Sequence, residues 1–481
     1  MVLADAMRMR DLALFVLLLV ALLGVLHVWP PIATRGEARE GLVVQELAGG
    51  GDWVLPRRQG VIASKPPLYH WLAAGAVRAF GWSDAAVRLP SALGAWLTAL
   101  VTFALGLLLV ADRRVAWLAV GILFACWGFA RSALEARVDM LFTACVAASI
   151  AGIAWWALRD ARPGRTLCWL AAAAAVLVKG PAGAVLPGLV ALAFLASGHE
   201  LGRLAGLWSW GAAAAAGVIA GGWYVAAIAT GGRDFLAVQL LKENVHRFAG
   251  RGEFAPHRAF AWLLMPRYFL GHLAPWHLAV VDDARRRWRG EPATAGGRLL
   301  HCWWIVFLVV FTVAAGKRAV YLLPLYPAIA LLAARALSRR VSSRAGWALL
   351  GAGVAATALA VAAITYRVQL GEVEWQGALP LARAVRVLVP PGASLHASMG
   401  LSESDVLVFA YLLERPLLRR RVTCDGSDAA ASYYLRPVVS GSGAMPVARI
   451  AWARDLELVR CDPIRAKSLD SPSSRGVRVQ E

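Results

Sequence analysis

The sequence lacks the short motifs by which nucleotide sites and several common hydrolytic centres are recognised. It contains no P-loop, no G-x-G-x-x-G fingerprint, no H-E-x-x-H and no G-x-S-x-G in a plausible context. An enzyme that used a nucleotide sugar would need a nucleotide site, so this absence argues against that class. Arginine-rich helices, RNP-like strands and zinc-finger spacings are absent as well, which argues against nucleic-acid binding.

Cysteine is also scarce, with six residues in 481 and no C-x-x-C pair. Four cysteines fall in apolar segments and are expected in the core, namely Cys126, Cys145, Cys168 and Cys302. Cys424 and Cys461 lie in a polar C-terminal segment. If that segment lies outside the cytoplasm, the two can form a disulfide, and the sequence leaves this pairing open.

Charged residues make up only 17% of the chain, whereas 59% of residues are hydrophobic and the mean hydropathy is +0.58. Apolar runs of about 18 residues or more recur through the first three quarters, which predicts a polytopic all-α membrane protein. The first run, DLALFVLLLVALLGVLHVW, has no small-residue cleavage site and is expected to be a retained span. About eleven spans are predicted, near residues 11–30, 87–110, 115–130, 139–157, 166–178, 181–197, 206–229, 260–280, 299–315, 319–335 and 345–366.

The net charge of +20 is interpreted as charge that sets membrane topology, because the arginines cluster in short loops between apolar runs. With the N-terminus inside, the cytoplasmic loops are 111–114, 159–165, 198–203, 282–298 and 334–344. Lysine and arginine are nearly as numerous on the other side, where they mix with acids, glycines, prolines and aromatic residues. That mixture is typical of a functional site.

Three regions follow from this pattern. Residues 1–366 form the transmembrane domain, in which 31–86 are a long first outer loop. Residues 367–461 alternate short apolar strands (SLHAS, VARIAWA, ELVRC) with one helical stretch (ESDVLVFAYLLERPLL), which predicts a small extracytoplasmic α/β domain. Residues 462–481 are rich in serine and arginine and are predicted to be disordered.

The first outer loop carries two predicted amphipathic helices. In the first, 35–48, Glu37 and Glu40 share one face. The second begins at Pro66-Pro67, which places Lys65 at a helix N-terminus, where free N–H groups favour an anion. The alternative is a membrane-surface anchor with ordinary salt bridges.

Two acids, Glu135 and Asp139, are four residues apart at the start of a predicted span, with Arg131 and Arg137 nearby. At helical spacing the two carboxylates share a face and repel each other unless a cation or a proton lies between them. A structural ion pair and a functional acid both fit this pattern.

Cations also interrupt the apolar segments, at Lys65, Lys179 and Lys317-Arg318. An ionisable residue at membrane depth indicates function by default, and Lys179 is flanked on both sides by apolar residues. Lys317 is also compatible with snorkelling at the end of a span. His246 and Arg247 lie in another amphipathic outer segment, where a lone histidine is more often an ordinary polar residue than a ligand.

The segment from RGEAREGLVVQELAGGGDW to SKPPLYHWLAAGAVRAFGWSDAAVRLPSALGA resembles the first outer loop of the bacterial aminoarabinose transferases. These are grouped with the dolichyl-phosphate-mannose–protein mannosyltransferases among the GT-C glycosyltransferases. The resemblance continues, in order, through ARVDM, LVKGPAGAVLP, GGWYVA, ENVHRF and GKRAVYLLPLYPAIALL, over residues 11 to 335. The C-terminal domain matches only in position.

The resemblance implies a GT-C fold of about 11–13 transmembrane helices. It implies inverting transfer of a sugar from a polyprenyl-phosphate donor to an acceptor (lipid A, another glycan or a protein) at the extracytoplasmic face. Glu37 and Asp139 would be the catalytic acids. The residues that would bind the donor phosphate are Arg39, Lys65, Lys179, Lys317 and Arg318. Further candidates for the site are Arg35, Tyr69, Arg88, Glu135, His246, Arg247 and Tyr321.

The sequence departs from the family pattern at two positions. Gly36 replaces the aspartate of an Asp-Glu pair, so that Glu37 acts alone, and Ser64 replaces the acid before Lys65. A divalent metal, which would need that acid and His246, is therefore left open.

The alternative functions are a transporter or lipid-binding protein, although no internal repeat is visible, and a polymerase or ligase of surface polysaccharide. The expected location is the bacterial inner membrane, in contact with membrane lipids, with no nucleic-acid partner.

Overall fold

The computed structural model describes residues 7–252, 260–371, 373–390, 392–422, 432–437, 446–450 and 456–461. The chain forms two compact units. The first consists of Met1–Trp29, Gly50–Arg57 and Ile62–Tyr366. The second consists of Pro30–Gly49, Arg58–Val61 and Arg367–Glu481, so part of the first outer loop belongs with the C-terminal region.

Helices dominate the described chain. In chain order they are α1 (Met9–Val28), α2 (Arg35–Ala48), α3 (Leu68–Phe80), α4 (Asp84–Leu109), α5 (Arg113–Phe124), α6 (Trp127–Ala133), α7 (Val138–Arg159), α8 (Arg162–Lys179), α9 (Ala182–Ser197), α10 (Trp210–Ala249), α11 (Leu264–His272), α12 (Trp276–Trp288), α13 (Ala295–Val313), α14 (Tyr326–Ser338), α15 (Arg344–Leu370), α16 (Val373–Leu388) and α17 (Glu403–Leu413). Short 3₁₀ segments lie at Leu201–Leu207, Ala261–Leu263 and Ala319–Leu325.

Strands occur in two places. β1 (Arg57–Arg58) and β2 (Val61–Ile62) form a small ladder. A five-stranded sheet contains β3 (Ser394–Ser398), β4 (Leu418–Arg420), β5 (Ser432–Pro437), β6 (Pro446–Ile450) and β7 (Leu456–Cys461), in the order β4-β3-β5-β7-β6. β3 runs parallel to β4 and β5, whereas β7 is antiparallel to β5 and β6. The predicted strands SLHAS, VARIAWA and ELVRC overlap β3, β6 and β7, and the predicted helical stretch contains α17, which ends at Leu413.

Seven helical segments of the described chain are long and apolar enough to cross a membrane. They are α1, α4, α7, α10, α13, the segment Ala319–Ser338 and α15. The protein is therefore a multi-pass membrane protein, as predicted. An eighth span is counted if α5 and α6, which meet at 75°, cross together.

Other predicted spans correspond to shorter helices. α9, at predicted span 181–197, has only 16 residues. The predicted span 260–280 contains the separate helices α11 and α12, and Pro275 precedes the second. Because proline has no N–H to donate, it suits the start of a helix and not its interior.

The helices α7 and α8 pack closely along their length, and glycines make this approach possible. A Cβ on Gly152 would lie 2.5 Å from the backbone N of Cys168, and a Cβ on Gly164 would lie 2.7 Å from the backbone O of Gly152. Small residues allow such close contact between membrane helices. Because the two helices are antiparallel neighbours, the start of α7 and the end of α8 meet at the same level.

The helix α10 is irregular, with π-helical segments at Gly217–Gly221 and Leu236–His246. The indole N–H of Trp223 on this helix donates to the backbone O of Val54 at 2.8 Å. In α3, the Trp71 indole N–H donates to the backbone O of Trp53 at 2.7 Å. These two bonds fix the segment Gly50–Arg57 between α3 and α10.

In the second unit, α2 packs against α17. The side chain of Gln45 donates to the backbone O of Tyr411 at 3.1 Å. α17 begins with a capping box, in which Ser402 Oγ accepts from the backbone N–H of Asp405 at 3.2 Å. Cys461, at the end of β7, is disulfide-bonded. Cys424, which the sequence considers as its partner, lies outside the described residues.

Candidate functional site

The cation that interrupts the apolar sequence most abruptly, Lys179, is paired with Asp139. Its Nζ lies 2.6 Å from Asp139 Oδ1 at the junction of α8 and α7. The ammonium group also lies over the rings of Phe142 and Tyr321, 5.0 and 4.9 Å from their centroids. Arg137 Nε lies 3.3 Å from the other oxygen of Asp139. A carboxylate and two aromatic faces thus stabilise a charge that desolvation would otherwise penalise.

A second ion pair forms beside the first. Lys65 Nζ lies 2.6 Å from Glu243 Oε2, and Arg247 lies 2.8 Å from the same oxygen. Lys65 comes just before α3, whereas Glu243 and Arg247 lie on α10. Each of the three side chains is at least four-fifths buried.

Tyr321 is the point at which these groups converge. Four cations lie within Coulombic range of its hydroxyl, namely Lys179, Arg247, Arg318 and Lys65. Lys65 is also within range of Asp139. Lys65 and Lys179 therefore lie close together, and their predicted role in binding a donor phosphate stays a prediction. The site holds these four cations and two carboxylates, Asp139 and Glu243.

The turn after Lys179 requires glycine. Gly180 has φ +84° and ψ −165°, a conformation that residues with a Cβ rarely adopt. A Cβ there would also lie 3.1 Å from Asn244 Oδ1. Asn244 in turn donates to the backbone O of Gln239 at 2.5 Å, and Gln239 donates to the backbone O of Ala63. The turn, α10 and the segment before Lys65 are thereby connected.

Lys317 is used differently from the other cations. Its ammonium group donates to the backbone oxygens of Phe311 at 3.0 Å, and also of Thr312 and Ala314. These are carbonyls at the end of α13, which have no partner within the helix. Lys317 therefore caps that helix, and its neighbour Arg318 is the member of the pair within reach of Tyr321.

The other candidates of this unit lie around α4 and α6. Tyr69 is fully buried and donates to the backbone O of Val87 at 3.0 Å. Arg88 is fully buried. Glu135 pairs with Arg131 at 2.5 Å, which is what a structural ion pair at this position would show.

Three candidates, Glu37, Arg35 and Arg39, belong to the second unit. Glu37 is fully buried in the first turn of α2, where its backbone N–H donates to Thr34 Oγ1 at 3.4 Å. Arg35 pairs with Glu403 at 2.5 Å, and Arg39 pairs with Glu40 at 2.6 Å.

Arg58 is a further cation of the second unit. Burial lowers the pKa of its guanidinium, and the charge of Arg39 lowers the pKa further, whereas Glu40 and Glu403 oppose the shift. The sequence interpretation did not single out Arg58, although it lies in the basic stretch LPRRQG.

The residues present do not fit a divalent metal site of the kind left open by the sequence. Ser64 offers no carboxylate, and Glu243 is occupied by Lys65 and Arg247. Among the described residues, no three His, Cys, Asp or Glu side chains come together as a ligand group. His246 is half-buried on α10 and joins no such group.

Sequence reasoning did not single out Glu243 or Asn244 as members of the site. Both lie in ENVHRF, one of the stretches that carry the resemblance. A local signal for Glu243 was present, because Glu243 and Arg247 have the i,i+4 spacing of a helical ion pair. The contact with Lys65 joins residues 178 positions apart and leaves no local pattern.

The chain is similar to known proteins over the part of the sequence that holds this site. The family model "Dolichyl-phosphate-mannose-protein mannosyltransferase" matches residues 64–223, the part that contains Lys65, Asp139 and Lys179. An undecaprenyl phosphate-alpha-4-amino-4-deoxy-L-arabinose arabinosyl transferase of Pseudomonas aeruginosa (strain LESB58) is 31% identical over 349 residues, which are 69% of this chain and 62% of the relative. The chain belongs to the family of GT-C glycosyltransferases that contains both groups.

Another member of this GT-C family, arabinosyl transferase 1 of Pseudomonas fluorescens (strain Pf0-1), is 29% identical over 335 residues. The match covers 68% of this chain and 58% of that relative. This chain thus spans 58% and 62% of the length of the two relatives.

Solved structures show the same GT-C fold. The crystal structure of ArnT from Cupriavidus metallidurans bound to undecaprenyl phosphate has a TM-score of 0.75 at 18% identity. The alignment covers 96% of this chain and 99% of that one. The apo state of the same protein gives a TM-score of 0.72 at 17% identity, over 93% and 97% of the two chains.

Proposed function

We propose that the protein is an inverting glycosyltransferase that moves a sugar from a polyprenyl-phosphate donor to an acceptor hydroxyl or phosphate at the extracytoplasmic face of the bacterial inner membrane. The observation that carries this proposal is the convergence of Lys65, Lys179, Arg247 and Arg318 on Tyr321. Four cations on membrane helices and their connecting turns are costly unless an anion compensates for them. The phosphate of a membrane lipid is such an anion.

The two carboxylates explain how the cations persist without a donor. Asp139 holds Lys179, and Glu243 holds Lys65 and Arg247, so these three cations are paired in the structure. When a phosphate arrives, the three ammonium and guanidinium groups can share it while remaining within reach of their carboxylates. Preorganised donors of this kind stabilise the negative charge that develops on the leaving phosphate.

The transfer is a single displacement. The acceptor oxygen forms a bond to the anomeric carbon of the sugar, and the bond between that carbon and the phosphate oxygen breaks. The electron pair stays on the polyprenyl phosphate, which leaves with one more negative charge. Glu37, fully buried on α2, is proposed to orient the acceptor or to take the proton from a hydroxyl acceptor. Asp139 is proposed to act in the site through Lys179.

The substrate proposal follows the names of the relatives. Two arabinosyl transferases are named for undecaprenyl phosphate-alpha-4-amino-4-deoxy-L-arabinose, and the ArnT structure holds undecaprenyl phosphate. We therefore propose undecaprenyl phosphate as the lipid carrier and this aminosugar as the first donor to test. The acceptor is proposed to be lipid A, another glycan or a protein. The C-terminal region 367–461 is proposed to be the extracytoplasmic domain.

The experiment measures release of undecaprenyl phosphate by the purified protein from the aminoarabinose donor in the presence of lipid A. Lys65→Met and Lys179→Met are each expected to lower kcat/KM by about 100-fold or more, which is the effect of removing one preorganised charge donor. Glu37→Gln is expected to abolish turnover and leave donor binding intact. Arg114→Gln, a charge removal at an exposed position on α5, is the matched control.

Two results would contradict the proposal. Full turnover in both lysine variants would exclude the cation site as the donor site. A protein that releases no polyprenyl phosphate, but carries an intact lipid across proteoliposomes, would be a transporter. Mass spectrometry of the cell envelope of a deletion strain and its parent identifies the acceptor that loses its sugar.

A further inference from the structure

A second basic region lies at the other ends of α13 and α14. α13 ends at Val313, four residues before Lys317, and begins at Ala295. At 1.5 Å per residue, its 19 residues extend about 28 Å. The region is therefore bounded by the start of α13, the end of α14 and the whole of α12. It lies nearly a bilayer thickness from the Lys179 site.

The charge of this region is strongly unbalanced. Its arginines are Arg285, Arg286, Arg287, Arg289, Arg335, Arg339 and Arg340, and its carboxylates are Asp282, Asp283 and Glu291. Seven arginines and three carboxylates leave a net charge of +4. A topogenic role explains the sign of this charge but does not require any particular geometry.

The geometry is nevertheless well defined, because Asp283 organises the arginines. Its side chain is 2% exposed. Arg287, His301 and Arg339 contact its two oxygens at 3.4, 3.2 and 3.1 Å. Three elements, α12, α13 and the end of α14, are thereby held together. This one carboxylate already has three partners. The net positive charge of the region can therefore attract another anion.

A cavity of about 390 Å³ opens beside this cluster, between α12 and the end of α14. Its walls are mostly apolar and include Leu278 and Val281, which are otherwise exposed. Arg285 and Arg340 form its charged part together with Asp282. Arg340 lies 3.0 Å from Asp282, whereas no carboxylate of the described residues lies within salt-bridge distance of Arg285.

Trp276 supplies a second sign that a ligand is expected there. Its side chain lines the cavity and is 7% exposed. Its indole N–H is buried, and no acceptor in the described part of the chain reaches it. A buried donor without an acceptor is costly and calls for an explanation such as a bound group. A phosphate oxygen is an acceptor that suits both an indole N–H and two guanidinium groups.

We propose that this cavity binds one anionic diacyl phospholipid from the leaflet opposite the Lys179 site. The phosphate is held by Arg285 and Arg340 and accepts from the Trp276 indole, and an acyl chain lies along Leu278 and Val281. The combination of charge and apolar wall selects a lipid over a free anion. Basic pockets between membrane helices bind acidic lipid headgroups in this manner.

Native mass spectrometry of the delipidated protein, titrated with phosphatidylglycerol, tests the proposal without reference to catalysis. One phosphatidylglycerol is expected to bind more tightly than phosphatidylcholine. The variant Arg285→Gln/Arg340→Gln is expected to bind it about 10-fold more weakly, because each basic residue near an acidic headgroup contributes modestly. Trp276→Phe keeps the ring but removes the N–H, and is expected to weaken binding as well.

The control Arg114→Gln/Arg159→Gln removes two exposed arginines elsewhere, one on α5 and one at the end of α7. It is expected to leave the binding of phosphatidylglycerol unchanged. Equal affinity for phosphatidylcholine, or unchanged affinity in the Arg285→Gln/Arg340→Gln variant, would overturn the proposal. Inorganic phosphate that displaces the lipid at equal concentration would overturn the assignment to a lipid. None of these outcomes depends on whether the protein transfers a sugar.

Discussion

Lys179 shows, at the scale of one residue, how a charge is stabilised among apolar helices. It is compensated by the carboxylate of Asp139 and by the faces of Phe142 and Tyr321. None of these groups is adjacent to it in the sequence. Each partner of a buried ion pair depends on the other, because a single charge left behind is far more costly than no charge at all.

A double-mutant cycle on this pair tests that dependence. Asp139→Asn alone is expected to destabilise the protein by about 3 kcal/mol, because Lys179 loses its counterion. Asp139→Asn/Lys179→Met is expected to recover part of this loss, since both charges are gone. The apparent Tm in detergent measures both effects. A double variant whose loss of stability equals the sum of the losses of the two single variants would show that the pair is not coupled.

Gly180 provides a prediction about backbone conformation. Gly180→Ala is expected to cost about 1–3 kcal/mol of stability, because the turn has φ +84°. It is also expected to lower turnover, since the turn positions Lys179. Gly188→Ala is the matched control on the next helix, where a Cβ would meet nothing within 4 Å. Equal apparent Tm values for the two variants would contradict the assigned strain.

At the scale of elements, Lys317 and Arg318 illustrate two uses of adjacent cations. Lys317→Met is expected to lower the apparent Tm, because the last carbonyls of α13 lose their donor. Arg318→Gln is expected to raise KM for the polyprenyl-phosphate donor with a smaller effect on Tm. Thermal unfolding and steady-state kinetics of the two variants separate these roles. The reverse pattern would show that Lys317, and not Arg318, binds the donor.

Asp283 links three elements and makes their packing sensitive to pH. Burial raises the pKa of its carboxyl, but the hydrogen bond with His301 and the charges of Arg287, Arg335 and Arg339 outweigh burial and lower the pKa to about 2. The ordinary value in an unfolded chain is about 3.9. Because the folded pKa is the lower one, the carboxylate stabilises the fold fully above about pH 4, and this contribution is lost as the pH falls towards 2.

The corresponding measurement is the apparent Tm between pH 7 and pH 3. Wild-type protein is expected to lose more stability over this interval than Asp283→Asn, which has no carboxylate to protonate. Asp283→Asn is expected to be less stable than wild type at pH 7, by about 1–2 kcal/mol. Parallel pH profiles for the two proteins would show that Asp283 does not carry the dependence.

For the whole molecule, the sequence predicts the elements better than the contacts between them. The predicted helix 35–48 coincides with α2, and the second amphipathic helix begins just after Pro66-Pro67, at Leu68. The break between α5 and α6 was missed, because Leu123 to Gly128 contains no proline and the bend has no local signal. The site shows the same limit. The residues around Lys65 in the sequence indicated that it belongs to a site, whereas nothing local indicated its ion-pair partner Glu243, which lies 178 residues away.

The proposed orientation of the whole chain makes a prediction that labelling can test. Arg420 is exposed on β4 of the C-terminal region, and Arg159 is exposed at the end of α7. If residues 367–461 are extracytoplasmic, a membrane-impermeant maleimide reaches Arg420→Cys from outside intact spheroplasts. Arg159→Cys is expected to react only after permeabilisation, because the 159–165 loop is predicted to lie on the cytoplasmic side. The unsubstituted protein gives the background from the native cysteines. If both positions are labelled from outside, the 159–165 loop is extracytoplasmic. The donor is then expected to be used at the cytoplasmic face instead.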